Sequence, residues 1–195
     1  MKVSGVRQGS ACGLPSSRAT VLHAGMEIRE ATSDGAEGTG PLVLRPLTIA
    51  DADEAAEVIR TAFAAQRRLT SPPSSALIET GEAIAAKIAA GGGFGVFEAA
   101  GLVAAALFSI NGDALHVARV SVAPRARGRR LARLLIAACE AEARGRGVRR
   151  MTLKTRLELP ENERLFARFG FARLKVEAHA GFEAPTTAVM EKILG

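Results

Sequence analysis

The run from Val120 to Arg133 reads Val-Ser-Val-Ala-Pro-Arg-Ala-Arg-Gly-Arg-Arg-Leu-Ala-Arg. A β-forming stretch stops at Pro124, a turn crowded with arginine follows, and a helical apolar stripe begins at Leu131. Helix N-termini expose unpaired backbone N–H groups and a partial positive charge. A phosphate or pyrophosphate placed there collects several hydrogen bonds. Gly128 lets the backbone approach such a group closely. Arg125, Arg127, Arg129, Arg130 and Arg133 raise the local potential. Arginines at a helix start oppose the dipole, so helix stability does not explain them. Three readings are open from these residues alone: a phosphate site, a nucleic-acid face, or a solvated surface without function.

The charge distribution sharpens the question. The chain carries a net charge of +6, yet residues 119–150 hold ten arginines against only Glu140 and Glu142. The basicity belongs to one block, which attracts a polyanion: nucleic acid, anionic lipid or a phosphate-rich cofactor. A hydrophobic content of 48% over 195 residues supports a folded domain with a real core. No apolar run is long enough to span a membrane. Trp and Tyr are absent. The two cysteines, Cys12 and Cys139, lack partners for a disulfide framework or a metal site, which fits a reducing cytoplasm. Cys139 reads as a small core residue.

These residues need elements to position them. Residues 1–40, rich in Gly, Ser, Ala and Thr, show no sustained period and read as a disordered or poorly ordered tail. One domain then fills 41–195. Leu42 to Leu47 predicts a strand, and Thr48 with Asp51 caps a helix that places Ala52, Ala55, Ala56, Ile59 and Phe63 on one face. Residues 66–75 hold a Pro-Pro pair and form a loop, and 76–90 is helical with a break near Gly81. Strands over 94–99, 102–110 and 114–122 make a meander, with Asn111-Gly112-Asp113 as one of its turns. A helix over 128–144, a strand over 151–156, a helix over 160–169 and strands over 172–178 and 186–193 complete the chain. The fold class is α/β (α+β): a mixed central sheet of about six to seven strands flanked by about four helices.

The block at 120–133 resembles the acetyl-CoA signature of the GNAT N-acetyltransferase superfamily. That signature ends a strand on Val-x-Pro, then places Arg or Gln, two residues, Gly, one residue, and Gly or Ala. Arg127 fills the first position and Ala132 the last, while Arg130 stands where the family has Gly. Leu-Arg-Pro and Ala-Asp-Ala within 42–63 resemble the family's opening unit. Asn-Glu-Arg-Leu-Phe-Ala-Arg-Phe-Gly-Phe at 162–171 resembles its C-terminal helix, and Met190-Glu191-Lys192 its final strand. The likeness runs from Pro41 to Gly195, and the order of the pieces makes it specific.

The resemblance implies roles. The backbone of Val120, Ser121 and Val122 would pair with the pantetheine arm of acetyl-CoA. Gly128, Arg129, Arg130, Leu131, Ala132 and Arg133, with Arg127, would hold the pyrophosphate, and Asn162 and Phe166 would flank the thiol. The family's Asn usually sits one turn earlier, at Leu159 here. Its frequent general acid, a Tyr four residues before Gly170, is Phe166 here. The implied reaction is direct attack of an amine on the thioester, with acetyl-CoA as co-substrate, no metal, and a small-molecule or peptide amine as acceptor. A thiol with pKa near 8.5 is a fair leaving group, so water suffices as acid. The strand amides near Val120 to Val122 would polarise the carbonyl. His116, His179, Glu98 and Glu158 are candidates for the base, with His179 and Glu158 preferred. Glu158, Glu161, Glu163 and Glu183 would serve a cationic acceptor if they converge. Homodimers are common in the family. The competing functions are an acyl-CoA sensor without turnover, suggested by the missing Tyr, and a nucleic-acid module, disfavoured by the lack of interleaved aromatics.

Overall fold

The computed structural model describes residues 26–28 and 41–195. Among these, eight strands form one sheet: β1 Met26–Ile28, β2 Leu42–Pro46, β3 Gly93–Glu98, β4 Gly101–Asn111, β5 Ala114–Val122, β6 Arg150–Arg156, β7 Ala172–Glu177 and β8 Thr187–Ile193. Four α-helices connect them: α1 Ala52–Ala64, α2 Gly81–Ala90, α3 Leu131–Gly145 and α4 Pro160–Arg168. The strand beyond the expected seven is β1. It falls in the stretch read as tail and pairs antiparallel with β2, Met26 opposite Leu44. The rest of that stretch, with Cys12, lies outside the described residues.

Strand order is β1-β2-β3-β4-β5-β6-β8-β7. All paired neighbours run antiparallel except β5 and β6, which are parallel and joined through α3. A parallel neighbour needs such a crossover. The central strand β4 is buried from Leu102 to Phe108 because both faces are covered. Val103, Ala104, Ala106 and Phe108 join the cluster under α3, whereas Leu102, Ala105 and Leu107 join the one under α1 and α2. The run Ala104-Ala105-Ala106 leaves room for a helical layer on each side.

The helices follow from their apolar stripes. α3 buries Leu131, Leu135, Ile136, Cys139 and Ala143, and each of the three aliphatics contributes roughly 2 kcal/mol. α1 buries Ala52, Ala55, Ala56, Val58, Ile59 and Ala62. Its start is fixed by Asp51, whose carboxylate accepts the Thr48 N–H and Oγ–H at 2.7 Å each and two hydrogen bonds from Arg45 at 2.7 and 2.8 Å. At α2, the Thr80 hydroxyl accepts the Ala83 N–H. The helix expected from Gly128 begins three residues later, since Pro124–Ala126 forms a 3-10 turn and Arg130 is left-handed.

Candidate active site

The parallel junction decides where a ligand fits. β5 and β6 pair only from Ala114 opposite Arg150 to Val117 opposite Leu153. Beyond that point β6 continues with β8 alone, and residues 118–122 of β5 keep only β4. The two strands therefore splay at their C-terminal ends. A cavity of about 900 Å³ fills the gap, lined on one side by residues 117–122 and on the other by residues 153–156. The ends of α1, α3 and α4 close it. The exposed edge of β5 is free to pair with an extended ligand as an added strand would.

At the mouth stands the basic turn. Gly128 has φ +84° and Arg130 has φ +60°, both left-handed. A Cβ at Gly128 would meet nothing within 4 Å, so glycine serves conformation there and not space. Arg130 has no such freedom and adopts the same region at a cost of about 1–2 kcal/mol. Its carbonyl takes the Arg133 and Leu134 N–H groups at 3.0 and 3.3 Å. The N–H groups of Leu131 and Ala132 thus precede the helical ladder and are available to an anion.

The arginines divide into anchors and cavity groups. Arg125 and Arg129 both reach the carboxylate of Glu98 at the end of β3, Arg125 at 2.6 Å. Burial pushes the pKa of Glu98 up, but the hydrogen bonds from Arg129 and Arg125 outweigh it and hold the group below its ordinary value. Glu98, weighed as a base, is instead the anchor of the turn. Arg127 donates to the carbonyl of Ala62 in the last turn of α1 at 3.1 Å and to that of Ala65, just past its end, at 3.3 Å, where a cation also suits the dipole. Arg119, Arg144, Arg146 and Arg150 pair with Glu79, Glu140, Glu142 and Asp113. Arg130 and Arg133 are exposed and line the cavity.

The structure therefore brings Val120, Ser121, Val122, Arg127, Gly128, Arg130, Leu131, Ala132, Arg133, Asn162 and Phe166 to one cavity. Arg129 is the exception among the expected phosphate ligands, being turned to Glu98. Phe166 packs edge-on against Phe169 and Phe171, with ring centroids 6.3 and 6.2 Å away. Leu159, also in the lining, sits where the resembled family has its Asn.

The expected proton acceptors lie elsewhere. Glu158 accepts the Ser71 N–H at 2.8 Å and lies 3.4 Å from Arg156. The Ser71 amide, opposed by burial and aided by Arg156, keeps its pKa below the ordinary value. His179 is half-buried against Arg156, whose Nη1 lies 2.9 and 3.0 Å from its two ring nitrogens, and against the Thr186 hydroxyl at 2.5 Å. Neither residue lines the cavity, whereas their shared neighbour Arg156 does. His116 contacts Thr152 at 3.1 Å, and burial, with help from Lys154, lowers its pKa. The four glutamates do not converge: Glu163 is spent on Arg173, Glu158 on Ser71, Glu183 is exposed, and Glu161 alone lines the cavity. Sequence reasoning missed Arg67, Arg119, Lys154 and Arg168 in the lining. No group of three metal-ligating side chains exists among the described residues, and no helix among them is long and apolar enough to cross a membrane.

Residues 59–171 match the family model described as acetyltransferase (GNAT) family. No curated protein matches the chain by sequence. Several solved structures share its fold. A putative acetyltransferase from Acinetobacter baylyi superposes with a TM-score of 0.65 at 18% identity, covering 82% of this chain and 95% of that one. The ribosomal-protein-S18-alanine N-acetyltransferase from Escherichia coli gives 0.63 at 17% identity, covering 78% and 94%. The PaiA N-acetyltransferase from Thermoplasma acidophilum, in complex with coenzyme A, gives 0.61 at 19% identity, covering 78% and 98%. At such identities the likeness bears on the fold.

Proposed function

The chain belongs to the GNAT acetyltransferase family and is an acyltransferase, and from its cavity we propose that it moves an acetyl group from acetyl-CoA to an amine by direct attack on the thioester. The observation that carries this reading is the splayed β5–β6 pair opening toward the N-terminus of α3. The residues present fit acetyl-CoA. An extended arm matches the bare edge at Val120 to Val122, and phosphates match the amides of Leu131 and Ala132 with Arg130 and Arg133. The volume suits a ligand of that size. Acetyl-CoA supplies an activated acyl carbonyl and a thiolate leaving group. The chain holds that carbonyl beside the β5 backbone, whose amides polarise it, and excludes water with Phe63, Leu153, Leu165 and Phe166.

The amine must arrive neutral or lose a proton to attack. Glu158 is a weak base because it is held anionic by the Ser71 amide, so His179 is the better proton acceptor of the two, reached beside Arg156 at the end of β6. Phe166 cannot protonate the departing thiolate, which leaves that step to water. Three of the cations that line the cavity are already compensated, Arg119 by Glu79, Lys154 by Glu177 and Arg156 by Glu158, so the charge of the lining leaves the class of amine acceptor open. The buried Cys139 thiol, pushed up to about 12 by burial and then by Glu142 and Glu140, is inert and takes no part in the transfer.

Titration with acetyl-CoA, followed by release of free CoA thiol with a panel of amines, tests the proposal. Saturable binding and acceptor-dependent thiol release are expected. Binding without release for any amine would favour a sensor, the reading that Phe166 suggests. No binding would remove the cofactor site from the splayed strands. The pairing of Arg119, Arg125, Arg129, Arg144, Arg146 and Arg150 with Glu79, Glu98, Glu140, Glu142 and Asp113 weighs against the nucleic-acid reading.

A further inference from the structure

Glu79 is a carboxylate with only 4% of its side chain exposed. It sits between the 3-10 turn Ser75–Ile78 and α2, away from the phosphate turn. Burying a charge is costly unless it is paired, and Glu79 has two cationic partners. Lys87 of α2 donates to both of its oxygens. The Arg119 Nε donates to its Oε1 at 2.7 Å, and the Arg119 Nη2 donates to the Ser75 hydroxyl at 2.9 Å. The Glu79 carbonyl also accepts Arg60 of α1 at 2.5 Å. The α1–α2 connection is thereby tied through one guanidinium to β5.

Arg119 occupies an unusual point in that strand. Its φ is +54°, in the left-handed region that favours glycine. The β4–β5 register slips there: Leu107 faces Ala118 and Ala105 faces Ser121, so Ala106 alone answers Arg119 and Val120. The extra residue makes a β-bulge, which breaks the ladder locally and re-aims the backbone. This happens where β5 leaves β6 and where Ala118 to Val122 line the cavity. The Ser121 hydroxyl donates to the Arg119 carbonyl at 3.0 Å and braces the bulge from within.

Nothing about an arginine selects φ near +54°, so the bulge is held by what grips the side chain. We propose that Glu79 is a positioning residue for acyl transfer, acting through Arg119 to hold the β5 bulge in the shape that presents its amides to the thioester carbonyl. The proposal rests on the acetyl-CoA reading of the cavity. Glu79 touches no reacting atom. It fixes a strained backbone turn, as residues around active sites do elsewhere.

Isotope-edited infrared spectroscopy of acetyl-CoA, carbon-13 labelled at the thioester carbonyl and bound to the full chain, tests it without an acceptor. A carbonyl polarised by strand amides absorbs at lower wavenumber than free acetyl-CoA. In Glu79→Gln and Arg119→Ala that downshift is lost in samples that calorimetry shows to be saturated with acetyl-CoA. In Arg119→Gly the downshift is kept, because glycine adopts positive φ without the grip of Glu79. The glycine–alanine contrast is decisive even if Glu79→Gln fails to fold. Equal spectra for Arg119→Ala and Arg119→Gly would overturn the positioning role, as would a downshift that survives in Glu79→Gln. Acetyl-CoA bound by the unaltered chain with no downshift would overturn it too, yet leave the cofactor site intact. Failure to bind acetyl-CoA at all would overturn both readings.

Discussion

Gly128 offers a clean separation of backbone strain from charge at the phosphate turn. Its φ of +84° is unfavourable for any L side chain, but a Cβ there meets nothing within 4 Å. Gly128→Ala therefore pays for conformation alone, about 1–2 kcal/mol. Gly128→Glu pays the same and adds a carboxylate beside the amides of Leu131 and Ala132. A unit charge about 5 Å from a pyrophosphate of two charges, at an effective dielectric between that of a protein surface and water, is repelled by about 2–4 kcal/mol. Solvent exposure of the mouth pulls the figure to the lower end, so CoA should bind Gly128→Glu about thirtyfold more weakly than Gly128→Ala. Calorimetric titration of CoA into both variants at low ionic strength measures the ratio. The two should melt together, since they share the backbone penalty. The affinity ratio should shrink in high salt as the repulsion is screened. Equal affinities of the two variants for CoA would refute the placement of phosphates at this turn.

Phe166→Tyr should raise kcat at least about threefold, as a well-placed acid contributes more than that when leaving-group departure limits turnover; steady-state thiol release with a competent amine checks it. Glu98 has a lowered pKa, so its contribution to stability is full above its ordinary value of 4.5 and is lost as pH falls through the lower folded value. The melting temperature of Glu98→Gln should accordingly lie below that of the unaltered chain at neutral pH, and the gap should close below pH 4.5. Asp51→Ala removes the acceptor shared by Thr48 and Arg45 at the start of α1, and should cost about 2 kcal/mol in denaturant unfolding. His179→Gln should lower kcat more than KM in steady-state thiol release.

The elements were legible because their signals are local. Apolar runs bounded by turn residues wrote β3 to β5, the stripe Leu131, Leu135, Cys139 wrote α3, and Asn111-Gly112 wrote the turn between β4 and β5. The phosphate turn was legible in composition but not in shape. Nothing in the sequence neighbours of Arg119 or Arg130 asks for positive φ, which the distant grip of Glu79 imposes on the first and helix docking on the second. Glu79 was invisible for a related reason. A glutamate before Thr80-Gly81 looks like a solvated residue near a helix start, and its burial depends on Arg119, forty positions on. The preference for Glu158 and His179 rested on the place their segments would take beside the acceptor pocket in the resembled family. The structure inserts Arg156 between them and the cavity, because β6 alternates its side chains and that arginine takes the place facing the loops.

The short parallel seam has a consequence for how the molecule comes apart. Only four residue pairs join β5 to β6, whereas β4 and β5, or β6 and β8, are paired along most of their length. The sheet is thus two panels, β1 to β5 and β6 to β8, stitched at one end by that seam and padded by α3. Amide hydrogen exchange should find the smaller panel opening at lower free energy than the larger one. A ligand lying across the splayed end touches both panels, so it adds stitches where the backbone has none. Saturation with CoA should then merge two exchange regimes into one, and the protein should gain cooperativity along with stability.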